Sequence, residues 1–392
     1  MKSPALAVCL ALASFTAAAH AATLPGIGAA IDGQIKAREI AGAVTMVVTA
    51  DRVLHRQAAG FADVAARRPM PEDALFWIAS MTKPVTGTAI LILQDEGRLS
   101  IDDLVEKHLP EFAGLRAPSG QPAGLTIKQI LTHTSGLGEA STQATQAARN
   151  LADLVPAWLA AKMQFEPGSQ WKYCQSGINL AGRIVEVVSG RSFDAFTRER
   201  IFEPLGMKDA TFFPTEAQRV RIATGYARKK ETGALEPAAP RADYGRAGGP
   251  PLGNGGLYCT ADDYARFCQM LLGNGGREGR RVLSPPAVKV LSSVHTGDLP
   301  TGFFQTEAFG HHGVNYGWGI GTCVLKTPHA GAAEVLSPGS FGHGGAWGTQ
   351  AWIDPVKGVA YLLMVQRANF PNSDASDVRT AFQRAAADAL RR

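Results

Sequence analysis

From Pro84 to Leu93 the chain reads Pro-Val-Thr-Gly-Thr-Ala-Ile-Leu-Ile-Leu, a run without a single charged residue. A helix of this composition has no face to show to water, so other elements must surround it and the fold must be layered around it. Pro84 fixes where the helix begins. Proline lacks a backbone donor and clashes with the carbonyl four residues back, so it is accepted only in a first turn. Gly97 supplies the stop. The opening turn therefore contains Ser80-Met81-Thr82-Lys83, a hydroxyl and an amine three residues apart on one helical face. The lysine can reach the hydroxyl without help from the rest of the chain, and the free amides at a helix start favour a developing oxyanion. This is the core of a serine nucleophile activated by lysine.

Residues 1–21 combine a basic start at Lys2, an apolar run from Ala5 to Ala19 and a small-x-small site at Ala19-His20-Ala21, the three parts of a cleavable secretory leader. The expected product starts near Ala22 and is periplasmic or secreted. No stretch has the length of a membrane helix, so no membrane span is expected. Without Lys2 the formal net charge falls from +5 to +4, and the basic residues are interleaved with acids, which gives no nucleic-acid groove. A hydrophobic content of 45% is that of an ordinary globular protein. Cys174, Cys259, Cys268 and Cys323 are too scattered for a disulfide framework and are expected to be mostly free and buried.

Organisation follows from periodicity. Ile27 to Arg38 reads as an amphipathic helix, and Gly42–Thr49 and Val53–Ala62 as an antiparallel hairpin. Residues 99–244 read as a mainly helical unit: Ser100-Ile101-Asp102-Asp103 has a capping pattern, and Leu125–Leu131, Leu151–Ala161 and Ile178–Val188 are helical segments. After a glycine-rich loop at 248–256, Thr260 caps a helix with apolar residues at Tyr264, Phe267, Cys268, Leu271 and Leu272. Strand-like runs at Gly317–Val324, Ala346–Ile353 and Val359–Val365 precede a last helix at Ala375–Leu390. Strands at both ends with helices between predict an α+β fold. One antiparallel sheet would come from 22–98 and 245–392, with 99–244 inserted as a helical domain.

Two further segments bear on chemistry. Tyr173, in Trp171-Lys172-Tyr173, lies just before a helix; a phenol titrates near pH 10 and works as a base near neutrality only if a cation such as Lys83 stabilises the phenolate. Gly342-His343-Gly344-Gly345-Ala346 is expected to open a strand that can approach a substrate closely, so that the N–H groups of Ser80 and Ala346 form an oxyanion hole.

Taken together, six segments resemble the serine β-lactamase and penicillin-binding-protein superfamily, in particular family VIII carboxylesterases and class C β-lactamases. They are Phe76 to Lys83, Leu131-Thr132-His133-Thr134-Ser135-Gly136-Leu137, Pro167-Gly168 with Trp171-Lys172-Tyr173, Pro204-Leu205-Gly206-Met207, Gly255-Gly256-Leu257-Tyr258 and Gly342-His343-Gly344-Gly345, in the family's order across nearly the whole chain. The resemblance implies a β-lactamase-like fold. It also implies Ser80 as acylated nucleophile, Lys83 as its proton-handling partner, Tyr173 as general base, and Gln175, His343, Gly344 and Gly345 against the substrate. Two departures bear on specificity. Gln175 stands where β-lactamases of this type usually have asparagine, and His343-Gly344-Gly345 stands where they usually have Lys-Thr-Gly. A neutral histidine holds a β-lactam carboxylate less well than lysine, which favours small esters. A β-lactamase or D-amino-acid peptidase using the same residues is the alternative, and a binder that acylates and stalls is a third reading.

Other features do not carry function in this reading. His133 is expected to be a buried, hydrogen-bonded histidine of a scaffold loop. His311-His312 lacks a third ligand, so neither a metal nor a cofactor is expected. No G-x-S-x-G motif points to an α/β-hydrolase, and the glycine-rich loop has no nucleotide-binding spacing.

Overall fold

The computed structural model describes residues 23–240, 244–301, 312–331, 333–371 and 373–392; the leader at 1–21 and His311 lie outside them. Helix α1 (Ile27–Lys36) leads into strands β1 (Gly42–Val48), β2 (Val53–Asp63) and β3 (Arg68–Pro69), then β4 (Phe76–Trp77) and α2 (Lys83–Asp95). The middle of the chain supplies α3 (Val105–His108), α4 (Ile127–Leu131), α5 (Thr142–Ala147), α6 (Val155–Ala160), α7 (Gln175–Ser189), α8 (Phe193–Thr197), α9 (Glu203–Leu205) and α10 (Glu216–Arg219), followed by β5 (Tyr226–Arg228) and β6 (Leu235–Pro237). Next come β7 (Tyr258–Cys259), α11 (Ala261–Leu272), the small hairpin β8 (Gly276–Arg277) and β9 (Arg280–Arg281), and α12 (Pro285–Ser292). The chain closes with β10 (Tyr316–Trp318), β11 (Cys323–Leu325), β12 (Phe341–Gly344), β13 (Gln350–Asp354), β14 (Val359–Met364), β15 (Arg367–Ala368) and α13 (Asp377–Leu390).

The main sheet has eight strands in the order β10-β11-β12-β13-β14-β1-β2-β3, antiparallel between neighbours. Its two ends of sequence meet where β1 pairs β14, with Met46 opposite Leu362. This is the predicted α+β architecture, a β-lactamase-like fold. Alternation along β1 sends Val44 and Met46 to one face, where they join Ile90, Leu362 and Phe267, and Val47 to the other, where it joins Ile31, Tyr361 and Phe382. The first cluster is continuous into the inserted segment through Ile130, Trp158, Ile178 and Ile184, so α2 is covered on every side, as its composition demands. The four described cysteines are free and buried.

Several local expectations needed correction. Gly317–Val324 is not one strand but the hairpin β10 and β11, because Gly319 N–H bonds the Thr322 carbonyl at 2.8 Å and Gly321 turns the chain at φ 70°. A Cβ on Gly321 would stand 2.5 Å from the Lys83 carbonyl oxygen, so this turn presses against the start of α2. Ala346–Ile353 begins as a turn, and the strand starts only at Gln350. Ser100 to Asp103 closes a turn rather than a helix: the Ser100 N–H donates to the Asp103 carboxylate at 2.9 Å, and α3 starts at Val105. Within the 99–244 segment, expected to be mainly helical, α3 to α10 are joined by β5 and β6, which form a small sheet with β15.

Candidate active site

Ser80 sits in a single 3-10 turn, Ala79–Thr82, that runs into α2 with Pro84 in its first turn. The turn is held from three directions. Ile78 N–H donates to the Leu257 carbonyl (3.0 Å), Leu257 N–H donates to the Thr82 hydroxyl (3.1 Å), and the Thr349 hydroxyl donates to the Ile78 carbonyl (3.3 Å). Ala79 has a φ of 45°, a left-handed conformation in which a non-glycine residue is strained, immediately before the serine. The surrounding bonds keep it there.

Lys83 is fully buried. Its Nζ lies 3.0 Å from Ser80 Oγ and donates to the Asn254 carbonyl at 2.6 Å. Burial in this low-dielectric setting drives its pKa well below 10.5, which favours the neutral amine, with a lone pair available to the serine hydroxyl. Asn254 is the functional residue that sequence reasoning passed over. Its N–H donates to Asn179 Oδ1 (3.0 Å), and its side-chain Nδ2 donates to Gln175 Oε1 (2.8 Å) and Tyr244 Oη (3.1 Å). It thereby fixes the carbonyl that orients the lysine. Gln175 is thus placed beside the lysine through Asn254.

Tyr173 arrives from the start of α7. The Lys83 Nζ lies 4.6 Å from the centroid of its ring, and the Ser80 side chain is near enough to lower the pKa of the phenol. The hydroxyl, amine and phenol therefore meet, although the chain separates the phenol from the other two. Burial raises the Tyr173 pKa well above 10, and the Ser80 side chain only partly offsets this. Burial thus acts on both groups in the direction of the neutral forms, phenol for Tyr173 and amine for Lys83, against the expected phenolate held by a lysine cation. Glu139, also unforeseen, anchors this segment by accepting from the N–H groups of Gln175 (2.6 Å) and Ser176 (2.8 Å) and from the Ser176 hydroxyl (2.7 Å).

His343, buried on β12, lies 3.4 Å from Tyr173 Oη through Nε2. Its Nδ1 lies 2.6 Å from the Gly344 carbonyl, which can only accept, so Nδ1 carries the proton and Nε2 is an acceptor facing the phenol. Burial, reinforced by Lys83, lowers its pKa to about 3, so it is neutral at ordinary pH. Gly344 and Gly345 are required by close packing. A Cβ on Gly344 would overlap the Asp374 and Gln350 side chains, and one on Gly345 would meet the Ile78 carbonyl oxygen at 2.5 Å. Ala346, expected on a strand edge, is instead exposed in the turn after β12, because Gly345 and Thr349 close that turn against Ile78. Beside the cluster, a cavity of about 220 Å³ is lined by Glu139, Thr142, Gln175, Asn179, Tyr244 and Asn254 among others. Among the described residues no His/Cys/Asp/Glu group is arranged to hold a metal.

The family model described as Beta-lactamase matches residues 27–386. The chain is 30% identical over 383 residues to Esterase EstB of Burkholderia gladioli, covering 91% of this chain and 92% of that one. It is 32% identical over 275 residues to Penicillin-binding protein 4 of Amycolatopsis lactamdurans, covering 70% and 71%. Among solved structures, EstCE1, "a hydrolase with promiscuous acyltransferase activity", superposes with a TM-score of 0.76 at 22% identity, over 91% of this chain and 97% of that one, a likeness of fold.

Proposed function

The chain belongs to the beta-lactamase family, and from that premise we propose that it is a serine hydrolase that cleaves short acyl esters through an acyl-enzyme on Ser80. The observation that carries the reading is the buried Lys83 amine 3.0 Å from Ser80 Oγ. Ser80 Oγ attacks the ester carbonyl carbon as its proton passes to Lys83 Nζ. The tetrahedral oxyanion rests on the N–H groups of Ser80 and Ala346, and Tyr173 delivers a proton to the departing alkoxide. Water then attacks the acyl-enzyme, giving its proton to the Tyr173–Lys83 pair, and Ser80 recovers its own. At rest the phenol proton is directed to the acceptor His343 Nε2, and it turns to the alkoxide as the leaving group departs. The experiment is intact-protein mass spectrometry with p-nitrophenyl butyrate: a transient adduct of one butyryl group on wild type, absent from Ser80→Ala, is expected.

Specificity for esters over β-lactams is supported by the neutral His343 and by Glu139 at the mouth of the adjoining cavity, both unfavourable to a carboxylate. A β-lactamase or D-amino-acid peptidase using the same residues is the alternative, supported by the likeness to Penicillin-binding protein 4. Nitrocefin turnover exceeding butyrate ester turnover would establish it. The leader read at 1–21 leads us to propose export to the periplasm or medium, which N-terminal sequencing of the secreted product would test by finding a start near Ala22.

A further inference from the structure

We propose that His133 is a positioning residue that holds Tyr173 in its working orientation through the N–H groups of the residues before and after it and from one face of its ring. This inference rests on the reading of Tyr173 as a catalytic group. The His133 carbonyl accepts from Lys172 N–H at 3.0 Å, and His133 Nδ1 accepts from Cys174 N–H at 3.1 Å. The N–H groups of the residues on either side of Tyr173 are thus held by one residue. The imidazole also lies against the phenol, ring centroids 4.4 Å apart with a tilt of 34°.

The chemistry of the ring excludes proton transfer as its role. A backbone N–H can only donate, so Nδ1 is unprotonated and the ring proton is on Nε2. Nε2 has no hydrogen-bond partner among the described residues, and the ring meets the Trp318 indole in a T-shaped contact with centroids 4.9 Å apart. His133 is completely buried, and burial together with the neighbouring Lys83 pushes its pKa well below the ordinary imidazole value. It has no access to solvent protons and no partner to pass one to.

Its backbone is also unusual. His133 has a φ of 62°, in the left-handed region that few residues other than glycine occupy and that Asn, Asp and His enter most readily. This conformation lets its own carbonyl and its ring nitrogen reach the same three-residue stretch. The loop carrying it is firm: Thr134 N–H bonds the Gln129 carbonyl (3.0 Å), Gly168 N–H bonds the Thr134 carbonyl (2.7 Å), and Gln164 N–H bonds the Gly136 carbonyl (2.7 Å). Strain at a fully buried position is retained where it fixes a functional geometry. A phenol that drifts by about 1 Å from the serine costs on the order of a hundredfold in rate.

The test uses two variants at home at positive φ. His133→Gly removes ring and acceptor without backbone strain, and His133→Asn keeps an acceptor in the place of Nδ1. Each is made in the wild-type and Tyr173→Phe backgrounds, with Ser80→Ala as control. His133→Gly should lower kcat for p-nitrophenyl butyrate by about ten- to a hundredfold with KM within about threefold. His133→Asn should recover most of that loss, and in the Tyr173→Phe background His133→Gly should cost almost nothing further, since a residue acting through Tyr173 is non-additive with it. An equal loss in both backgrounds, wild-type kcat in His133→Gly, or no recovery in His133→Asn overturns the inference. Full activity in Ser80→Ala would instead overturn the functional reading, and the two failures are therefore distinct. If His133→Gly does not fold, His133→Ala takes its place in the same cycle: its kcat loss must be recovered by His133→Asn and vanish in the Tyr173→Phe background, and a loss that persists there, or wild-type kcat in His133→Ala, overturns it.

Discussion

Lys83 Nζ bridges Ser80 Oγ and the Asn254 carbonyl, 3.0 Å from one and 2.6 Å from the other. The carbonyl can only accept, so a lysine hydrogen is committed to it and the remaining direction faces the serine. Burial lowers its pKa, and in the mechanism proposed above the amine acts as the free base. The sign follows: protonation removes the acceptor for the serine proton, so kcat/KM should rise with pH through the depressed Lys83 pKa, at a midpoint below 10.5. His343, at about 3, adds no limb in the working range. A pH–rate profile between about pH 5 and pH 10 checks this, and a rate that is flat or falls throughout speaks against it.

Ser80→Ala should abolish ester hydrolysis, and Tyr173→Phe should lower kcat by about two to four orders of magnitude, the range for loss of a proton-transfer group. Wild-type rates in either correctly folded variant refute the assignment. A stable acyl adduct without turnover in the wild type would mark the chain as a binder.

Gly345→Ala should push the turn holding Ala346 away from Ile78, whose carbonyl oxygen lies 2.5 Å from the position of the new Cβ. Overpacking of this kind costs about 1–3 kcal/mol. Displacing an oxyanion donor costs about a hundred- to a thousandfold in kcat. Thermal denaturation and steady-state kinetics on the same preparation measure both; unchanged kcat would remove Ala346 from the oxyanion hole.

Nitrocefin should be a poorer substrate than p-nitrophenyl butyrate by about ten- to a hundredfold in kcat/KM, the value of one charge-assisted hydrogen bond of about 1.5–3 kcal/mol to the carboxylate. Side-by-side kinetics decide, and the reverse ratio favours the β-lactamase reading.

Cys174, Cys259, Cys268 and Cys323 are free and buried. A thiol reagent should therefore find none of these four in the native protein and all four in denaturant, and a reducing agent should leave Tm unchanged. Fewer than four in denaturant would reveal a disulfide.

What could be read from the sequence was mostly local. Ser80 and Lys83 are three residues apart, Pro84 and Gly97 mark the two ends of α2, and Thr260 caps α11 through its bond to Asp263 N–H. Each is decided within one or two helical turns. The roles of Asn254 and Glu139 were not legible, because each acts on a partner far along the chain, Asn254 through a backbone carbonyl that any residue type carries. The strand expected at Ala346 failed for a related reason: the turn there is set by contacts with Ile78, not by the alternation of its own residues. The burial that raises the Tyr173 pKa was not legible either, because the water excluded around the phenol depends on Trp171, Trp318 and His343 assembling around the ring.

The pairing of β1 with β14 has a consequence for biogenesis. A nascent chain already contains serine and lysine when the first hundred residues have emerged, yet the seam that completes the sheet requires strands from the far end of the polypeptide. Until synthesis is complete, the nucleophile lacks its turn from β12, its histidine and half of its sheet. Closure of the seam between the two ends of the chain is therefore what brings His343 and the turn after β12 to Ser80 and Lys83.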